Sequence, residues 1–265
     1  MKDALSLRKI DFRVIGSSFL SATKFLIFAF HVAIFILSHV ILSLIIRDEK
    51  KRLRLILKSN AFHAGLVLKY LGIETFEDEV TPLRGKLIVC NHMSYLDVLV
   101  LFKSYPALFI TSKDIERTPV LGQITKLAGC FFTERKKELR TPEASAREIN
   151  LMKKRLSEGF NIFLFPEGTS SDGSVILPFK AHFFQLAIDT QTPVIPLVMN
   201  YLGANRNIAP WYGDMDFVPH FLQVCAEKDF AVSVHQLGQL SPSGRDKFQL
   251  KNEAEMLIRE SYEKY

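Results

Sequence analysis

The longest uncharged stretch of the chain, Phe25–Ile46, constrains its fold more than any other feature. It contains no Asp, Glu, Lys or Arg, and as a helix it would extend about 33 Å, enough to cross the hydrocarbon core of a bilayer. Sixteen of its residues are Leu, Ile, Phe or Val, which favour insertion by roughly 5–10 kcal/mol before the cost of two histidines and two serines. We therefore expect membrane attachment, through one span or a re-entrant helical hairpin.

Two other interpretations of this stretch are weaker. A buried core helix of this length would not need basic residues on both flanks, and a cleaved signal peptide would have a shorter apolar core followed by small residues. The basic cluster Arg47–Lys58 follows, and it leads into an amphipathic stretch that suits an anionic membrane surface, where each Lys or Arg contributes about 1 kcal/mol. We assign residues 1–75 to an N-terminal membrane-anchoring helical segment.

The distribution of charge argues against a nucleic-acid partner. The net charge of the chain is +6, but residues 1–60 alone carry +7, so the remaining residues sum to −1. A basic face for DNA or RNA on the globular part is therefore poorly supported. The three cysteines match neither a metal-binding nor a disulfide pattern, so we expect free thiols in a reducing compartment. We expect no metal and no cofactor, because His and acidic residues do not cluster at ligand spacing.

After about residue 80, short apolar runs alternate with segments of helical character, which predicts an α/β fold with a largely parallel sheet flanked by helices. The predicted strands are Lys86–Asn91, Ala107–Thr111, Cys130–Thr133, Asn161–Pro166, Val194–Asn200 and Phe230–His235. The predicted helices are Tyr95–Lys103, Pro119–Leu127, Pro142–Leu156 and Phe179–Asp189, with a solvated helix at Lys251–Tyr265.

The first candidate site is the interrupted apolar run VCNHMSYLDVLV, in which His92 and Asp97 follow a predicted strand. A turn between strand and helix can bring the imidazole and the carboxylate together. The carboxylate would then orient the ring and leave its other nitrogen to take a proton from a hydroxyl. The alternative is structural, because Ser94-x-x-Asp97 is also a capping-box pattern and His92 could be an ordinary loop histidine. From these residues alone the two readings are equally supported.

The second candidate site is FLFPEGTSSDG at Phe163–Gly173, which again follows an apolar strand. Gly168 would permit close approach of a ligand to the backbone, and Glu167 could accept hydrogen bonds from substrate hydroxyls. A plain strand-to-loop turn explains the same residues. A third segment ends at Arg135, which suits an anion, although a solvated charge in ERKKELR explains it better from the sequence alone.

These segments, in this order, resemble the lysophospholipid acyltransferase family of the 1-acyl-sn-glycerol-3-phosphate acyltransferase type. The resemblance rests on N-H-x-x-x-x-D, G-x-x-F-x-x-R, F-P-E-G-T and a V-x-P run, and it covers roughly residues 65–240. It implies a glycerolipid acyltransferase fold with residues 76–265 as the catalytic domain. It implies that His92 is the general base and that Asp97 orients it. It assigns substrate-binding positions to Asn91, Lys113, Arg135, Glu167, Gly168, Thr169 and Ser170.

One position departs from the family pattern. The common form is F-P-E-G-T-R, whose Arg contacts the acceptor phosphate, whereas this chain has Ser170. Together with Leu177–Lys180 and the segment WYGDMD at Trp211–Asp216, this is similar to the branch that acylates lyso-ornithine lipids. The acceptor therefore stays open between 1-acyl-sn-glycerol-3-phosphate and lyso-ornithine lipid.

The resemblance implies an O-acyltransferase that moves a fatty acyl group from acyl-ACP or acyl-CoA to the hydroxyl of a lysolipid. The expected location is a membrane, the bacterial inner membrane with the catalytic domain on its cytoplasmic face. Two alternatives remain: a non-catalytic lipid-binding membrane protein, and a thioesterase-like hydrolase in which water replaces the hydroxyl.

Overall fold

The computed structural model describes residues 12–78, 83–134, 141–203, 206–227 and 230–264, with side chains from residue 19 onward. In this part of the chain the strands are β1 (Ile73–Glu77), β2 (Leu87–Cys90), β3 (Leu108–Ser112), β4 (Phe131–Thr133), β5 (Ile162–Leu164), β6 (Val194–Leu202) and β7 (Phe230–Gln236). The helices are α1 (Phe12–Ile45), α2 (Glu49–Leu71), α3 (Tyr95–Ser104), α4 (Lys113–Arg117), α5 (Leu121–Leu127), α6 (Pro142–Ser157), α7 (Phe184–Thr190), α8 (Phe217–Ala226) and α9 (Lys247–Tyr262).

The strands form one sheet in the order β1-β7-β6-β2-β5-β3-β4. Neighbouring strands within the described residues are parallel, except that β6 and β7 are antiparallel. The central strand β2 is buried on both faces, and its successive side chains contribute alternately to two apolar layers. This is the pattern expected of a parallel sheet covered by helices on both sides, so the predicted fold class is confirmed.

Helix α1 is long and apolar enough to cross a membrane: an 18-residue window within Phe19–Ile45 has a mean hydropathy of 2.5, and only 11% of that window is buried. Its other side lies against the globular part. Ser21 Oγ donates to the Leu222 carbonyl at 3.1 Å, and the Phe28 ring packs on Phe221 of α8 with centroids 4.4 Å apart. The exposed side carries ten large apolar residues: Phe19, Leu26, Ile27, Phe30, Ile34, Leu37, Val40, Ile41, Leu44 and Ile45.

Polar side chains join α1 to α2 inside this apolar setting. A hydrogen bond of 3.0 Å links His39 Nε2 to Asn60 Oδ1, and Asn60 Nδ2 donates to the carbonyl of Ala128 at the end of α5. A second bond of 3.0 Å links His31 Nε2 to His63 Nδ1. Because unpaired polar groups are costly in an apolar environment, these pairs specify one register for the two helices.

All six predicted strands are present, each within two residues of its expected ends. The sequence prediction missed three elements, and one of them is the short helix α4. Strand β1 (IETFE) has no clear alternation of apolar and polar residues, and its Phe76 is half exposed. It is a strand because it pairs with β7, which is distant in the sequence. Helix α8 was also not predicted, although it holds the buried Phe221.

Two predicted helices differ from the structure. Helix α7 begins at Phe184 rather than Phe179, because the Phe179 amide donates to Glu255 and the Lys180 amide to the Pro166 carbonyl. The description of the C-terminal helix as solvated is wrong. Helix α9 buries Leu250, Ala254 and Ile258 against the sheet and α7, so one of its faces belongs to the core.

Candidate active site

The site forms at one edge of the sheet. Strands β6, β2, β5 and β3 are parallel, so their carboxyl ends lie together, where ligands bind in α/β sheets. His92 follows β2, Glu167 follows β5, and Lys113 begins the helix after β3. Neighbouring strands lie about 4.8 Å apart, and β5 lies between β2 and β3. The backbone at Lys113 is therefore roughly two strand spacings from the backbone at His92.

His92 and Asp97 are in contact, and the capping box is what brings them together. Ser94 is the N-cap of α3 and Asp97 is its third helical residue. Asp97 Oδ2 accepts hydrogen bonds from His92 Nδ1 at 2.9 Å, from the Met93 amide at 2.7 Å and from the Ser94 amide at 2.9 Å. One carboxylate therefore makes both the capping contact with Ser94 and the contact with His92 that the catalytic interpretation requires, and the catalytic role stays a prediction.

Tyr201, near the end of β6, completes the surroundings of this carboxylate. Its hydroxyl donates to Asp97 Oδ1 at 2.5 Å, and both residues are buried. The sequence analysis missed Tyr201, although its position offered a signal. It follows an apolar strand predicted to be buried, and a buried phenol requires a hydrogen-bond partner.

The second ring nitrogen of His92, Nε2, does not contact Asp97. A carboxylate only accepts hydrogen bonds, so Nδ1 donates a proton to it, and in the neutral imidazole Nε2 then has the free lone pair. Within the described part of the chain no hydrogen bond to Nε2 is found, and the side chain is 20% exposed. The imidazole is stacked on the Phe165 ring, with centroids 3.8 Å apart and planes inclined by 10°. This aromatic face fixes the plane of the ring, and Phe165 was also not identified from the sequence.

Glu167 supports the same turn through its two oxygens. Oε1 accepts from the His92 amide at 2.7 Å, and Oε2 accepts from the Leu177 amide at 2.8 Å. Burial raises the pKa of this carboxyl group to about 7, because desolvation outweighs the two amide donors and the nearby Asp97 adds repulsion. The contacts of Glu167 are thus to the backbone of the site, and its contact with substrate stays a prediction.

The loop after Glu167 brings a cation next to its backbone. Gly168 has φ +76°, and a Cβ at this position would lie 2.4 Å from Lys180 Nζ, so the lysine packs directly over the glycine. Thr169 is exposed. Ser170 Oγ donates to the Trp211 carbonyl at 2.5 Å, and the Trp211 amide donates to the Met93 carbonyl. The loop at Trp211 is therefore tied to both motifs.

Two of the remaining predicted site residues, Asn91 and Lys113, contact other parts of the fold, and the third, Arg135, is not among the described residues. Asn91 is buried and pairs with the backbone of Met199, giving and receiving hydrogen bonds of 2.9 Å, so it joins the end of β2 to β6. Lys113 Nζ lies 3.0 Å from Glu148 Oε1 of α6. Arg135 falls outside the described residues. In the described part of the chain no group of three or more His, Cys, Asp or Glu could hold a metal ion.

Comparison with known proteins identifies the family. Residues 72–200, which include both motifs, match the family model described as acyltransferase. The chain is 33% identical over 171 residues to a lyso-ornithine lipid O-acyltransferase of Rhizobium meliloti, covering 59% of this chain and 57% of that protein. Residues 72–200 are an acyltransferase-family domain. The predicted family and class of enzyme are therefore confirmed.

One further relative agrees with this result, and one solved structure agrees with the fold. The acyltransferase is 29% identical over 196 residues to a 1-acyl-sn-glycerol-3-phosphate acyltransferase of Neisseria gonorrhoeae, covering 71% of this chain and 74% of that one. Its fold is that of the 1-acyl-sn-glycerophosphate acyltransferase from Thermotoga maritima, with a TM-score of 0.72, 18% identity, and coverage of 95% and 97% of the two chains. At that identity the structural likeness shows the fold alone.

Replacing Glu167 with Gln should flatten the dependence of stability on pH. The pKa of Glu167 rises from 4.5 to about 7 on folding, so the folded acyltransferase binds this proton more tightly than the unfolded chain. Glu167 therefore contributes fully to the free energy of unfolding at pH values below its pKa in the unfolded chain. This contribution, ~3 kcal/mol in all, is lost as pH rises through its pKa in the folded protein. Thermal unfolding of wild type, Glu167→Gln and the exposed control Glu74→Gln at pH 4.5 and 8 measures this difference.

The lost amide acceptor will lower the melting temperature of Glu167→Gln at every pH, so only the change between the two pH values is informative. If wild type and Glu167→Gln respond equally to pH, Glu167 does not hold its proton on folding.

Proposed function

We propose that this acyltransferase transfers a fatty acyl group from an acyl thioester to the hydroxyl of a lysolipid, with His92 as the general base. The observation that carries the proposal is the hydrogen bond of 2.9 Å between His92 Nδ1 and the buried Asp97, which leaves Nε2 as the proton acceptor. The relatives named for acylation of lyso-ornithine lipid and of 1-acyl-sn-glycerol-3-phosphate support a lysolipid acceptor.

In this mechanism Nε2 of His92 takes the proton of the acceptor hydroxyl as its oxygen attacks the thioester carbonyl. The anionic Asp97 stabilises the resulting imidazolium and keeps the ring oriented. The tetrahedral intermediate then breaks its carbon–sulfur bond, and the imidazolium returns the proton to the departing thiolate. The products are the diacyl lipid and the free thiol of the carrier, which is acyl carrier protein or coenzyme A.

We propose lyso-ornithine lipid as the first candidate acceptor. Ser170 stands where the family pattern has the phosphate-binding Arg, and its hydroxyl is bound to the Trp211 carbonyl. This favours a head group without a phosphate. The observation that supports 1-acyl-sn-glycerol-3-phosphate as a second candidate is Lys180, whose ammonium lies over Gly168 and supplies a cation to the same loop.

We propose that residues 1–75 attach the enzyme to a membrane, with the catalytic domain, residues 76–265, on the cytoplasmic face of a bacterial inner membrane. The exposed apolar side of α1 supports attachment. The contacts from Ser21 to Leu222 and from His39 to Asn60 hold α1 along the globular part, which favours a helix lying in one leaflet over a perpendicular span. The three free cysteines suit a reducing compartment.

His92→Ala should lower the rate of acyl transfer by roughly 10²–10⁴-fold, since a positioned base contributes that much. Asp97→Ala should also be severe. The matched control is His235→Ala, which removes another His–Asp pair, the exposed contact of 3.1 Å between His235 Nδ1 and Asp78, away from this edge of the sheet. The assay follows labelled diacyl lipid and released fatty acid with purified enzyme.

Wild-type rates for His92→Ala would refute the base assignment. Fatty acid as the main product in the presence of lysolipid would instead favour the hydrolase. A folded wild type that forms neither product from any lysolipid would favour the non-catalytic lipid-binding protein.

The acceptor is tested by offering lyso-ornithine lipid and 1-acyl-sn-glycerol-3-phosphate side by side, with acyl-ACP and acyl-CoA as parallel donors. We expect faster transfer to lyso-ornithine lipid. Ser170→Arg should impair that reaction by releasing the loop at Trp211, whereas Ser174→Arg, an exposed change in the same segment, should not. Faster acylation of the phosphate acceptor by wild type would contradict the assignment.

The double variant Phe30→Lys/Leu37→Lys should be released from membranes by carbonate, because both side chains are more than half exposed on α1. The control Phe248→Lys/Met256→Lys places two lysines at exposed apolar positions on α9 and should stay membrane-bound. In detergent both variants should retain transferase activity. Release of the wild type itself by carbonate would contradict membrane insertion.

A further inference from the structure

The Asp97 carboxylate is fully buried, and each of its two oxygens accepts at least one hydrogen bond. Three donors to Oδ2 come from the adjacent turn, and they follow from the local sequence. The only donor found on Oδ1 within the described residues is the Tyr201 hydroxyl, 104 positions along the chain. Tyr201 lies on β6, the strand next to β2, so the sheet itself delivers this contact.

The Tyr201 hydroxyl acts as a donor at this position. Burial, and next the charge of Asp97, raise the pKa of Tyr201 well above its usual range, so the phenol keeps its proton. A hydrogen bond to a charged acceptor is short and strong, and the 2.5 Å separation fits that description. It restrains rotation of the carboxylate and draws part of its negative charge away from Oδ2.

We propose that Tyr201 is a positioning residue for acyl transfer, which holds Asp97 so that Oδ2 faces His92 Nδ1. This rests on the function proposed above, in which His92 is the base. Tyr201 acts through Asp97 and does not touch the reacting atoms. Without the Tyr201 hydroxyl, Oδ1 has no donor within the described residues. The undiminished charge of the carboxylate then favours the imidazolium form of His92, which accepts no proton from the acceptor hydroxyl.

Other titratable groups surround this pair and stay the same when Tyr201 is changed. They come from four parts of the fold: Cys90 at the end of β2, Tyr95 in α3, Glu167 after β5 and Tyr262 in α9. The Ser94 hydroxyl also lies within hydrogen-bonding reach of Tyr201. A change in the pH–rate profile of a Tyr201 variant therefore reports on the bond to Asp97.

The test is the kinetics of full-length Tyr201→Phe with lysolipid and acyl thioester. We expect kcat to fall about tenfold or more, KM for the lysolipid to stay within about twofold, and the acid limb of the pH–kcat profile to move to higher pH. The matched control is Tyr105→Phe, which removes a buried hydroxyl that makes no hydrogen bond within the described part of the chain. That variant should have wild-type kinetics.

The second arm repeats Tyr201→Phe in the Asp97→Ala background. If Tyr201 acts through Asp97, the added change has no further effect on kcat. The proposal is overturned if the acid limb of the pH–kcat profile does not move. It is also overturned if Tyr201→Phe lowers kcat by the same factor in the Asp97→Ala background as in the wild type. His92→Ala in the same series separates the two claims: wild-type rates for that variant refute the base itself, whereas its inactivity beside a normal Tyr201→Phe refutes only the positioning role.

Thermal unfolding shows whether Tyr201→Phe folds. If Tyr201→Phe does not fold, Tyr201 is replaced by 3-fluorotyrosine instead. This replacement hardly changes the side-chain volume, and its more acidic phenol is a stronger hydrogen-bond donor. We then expect the acid limb to move to lower pH. An unmoved limb in this folded protein overturns the proposal equally.

Discussion

The buried carboxylate of Asp97 is the constraint on which the site depends. A carboxylate without exposure to water requires donors on both oxygens, because an unpaired buried charge is strongly destabilising. The turn after β2 supplies two amides and an imidazole, and the end of β6 supplies a phenol. Satisfying this one group therefore fixes the start of α3, the plane of the His92 ring and the relation of two strands.

A second buried carboxylate works in the same way one strand further along. Each oxygen of Glu167 accepts a hydrogen bond from a backbone amide, one from His92 and one from Leu177. Glu167 therefore joins the two motifs and stabilises the turn that carries His92. The Trp211 loop adds a third connection through Ser170 and Met93. Hydrogen bonds with Glu167 and with the Trp211 loop therefore hold the turn that carries His92, whereas the loop after Glu167 contains Ser170, the position that departs from the family pattern.

The N-terminal helix is linked to this site by a short series of packed side chains. Phe28 of α1 packs on Phe221 of α8, and in the same helix His220 Nδ1 is hydrogen-bonded to the Tyr95 hydroxyl at 3.0 Å. Tyr95 is the first residue of α3, two positions before Asp97. The helix proposed to enter the membrane is thus connected through α8 to α3, which carries Asp97 of the proposed catalytic pair. This arrangement fits the proposal that the acceptor is a membrane lipid.

The amino-acid sequence by itself determined the α/β class and six strands, and its motifs predicted the resemblance to acyltransferases and the contact of His92 with Asp97. These depend on local patterns: apolar runs, capping residues and a motif within one turn. Only the tertiary structure decided that Glu167 accepts from the His92 amide, that Phe165 stacks on His92 and that Tyr201 reaches Asp97. Those contacts join residues 73 to 104 positions apart, and no local period in the sequence encodes which strands lie side by side.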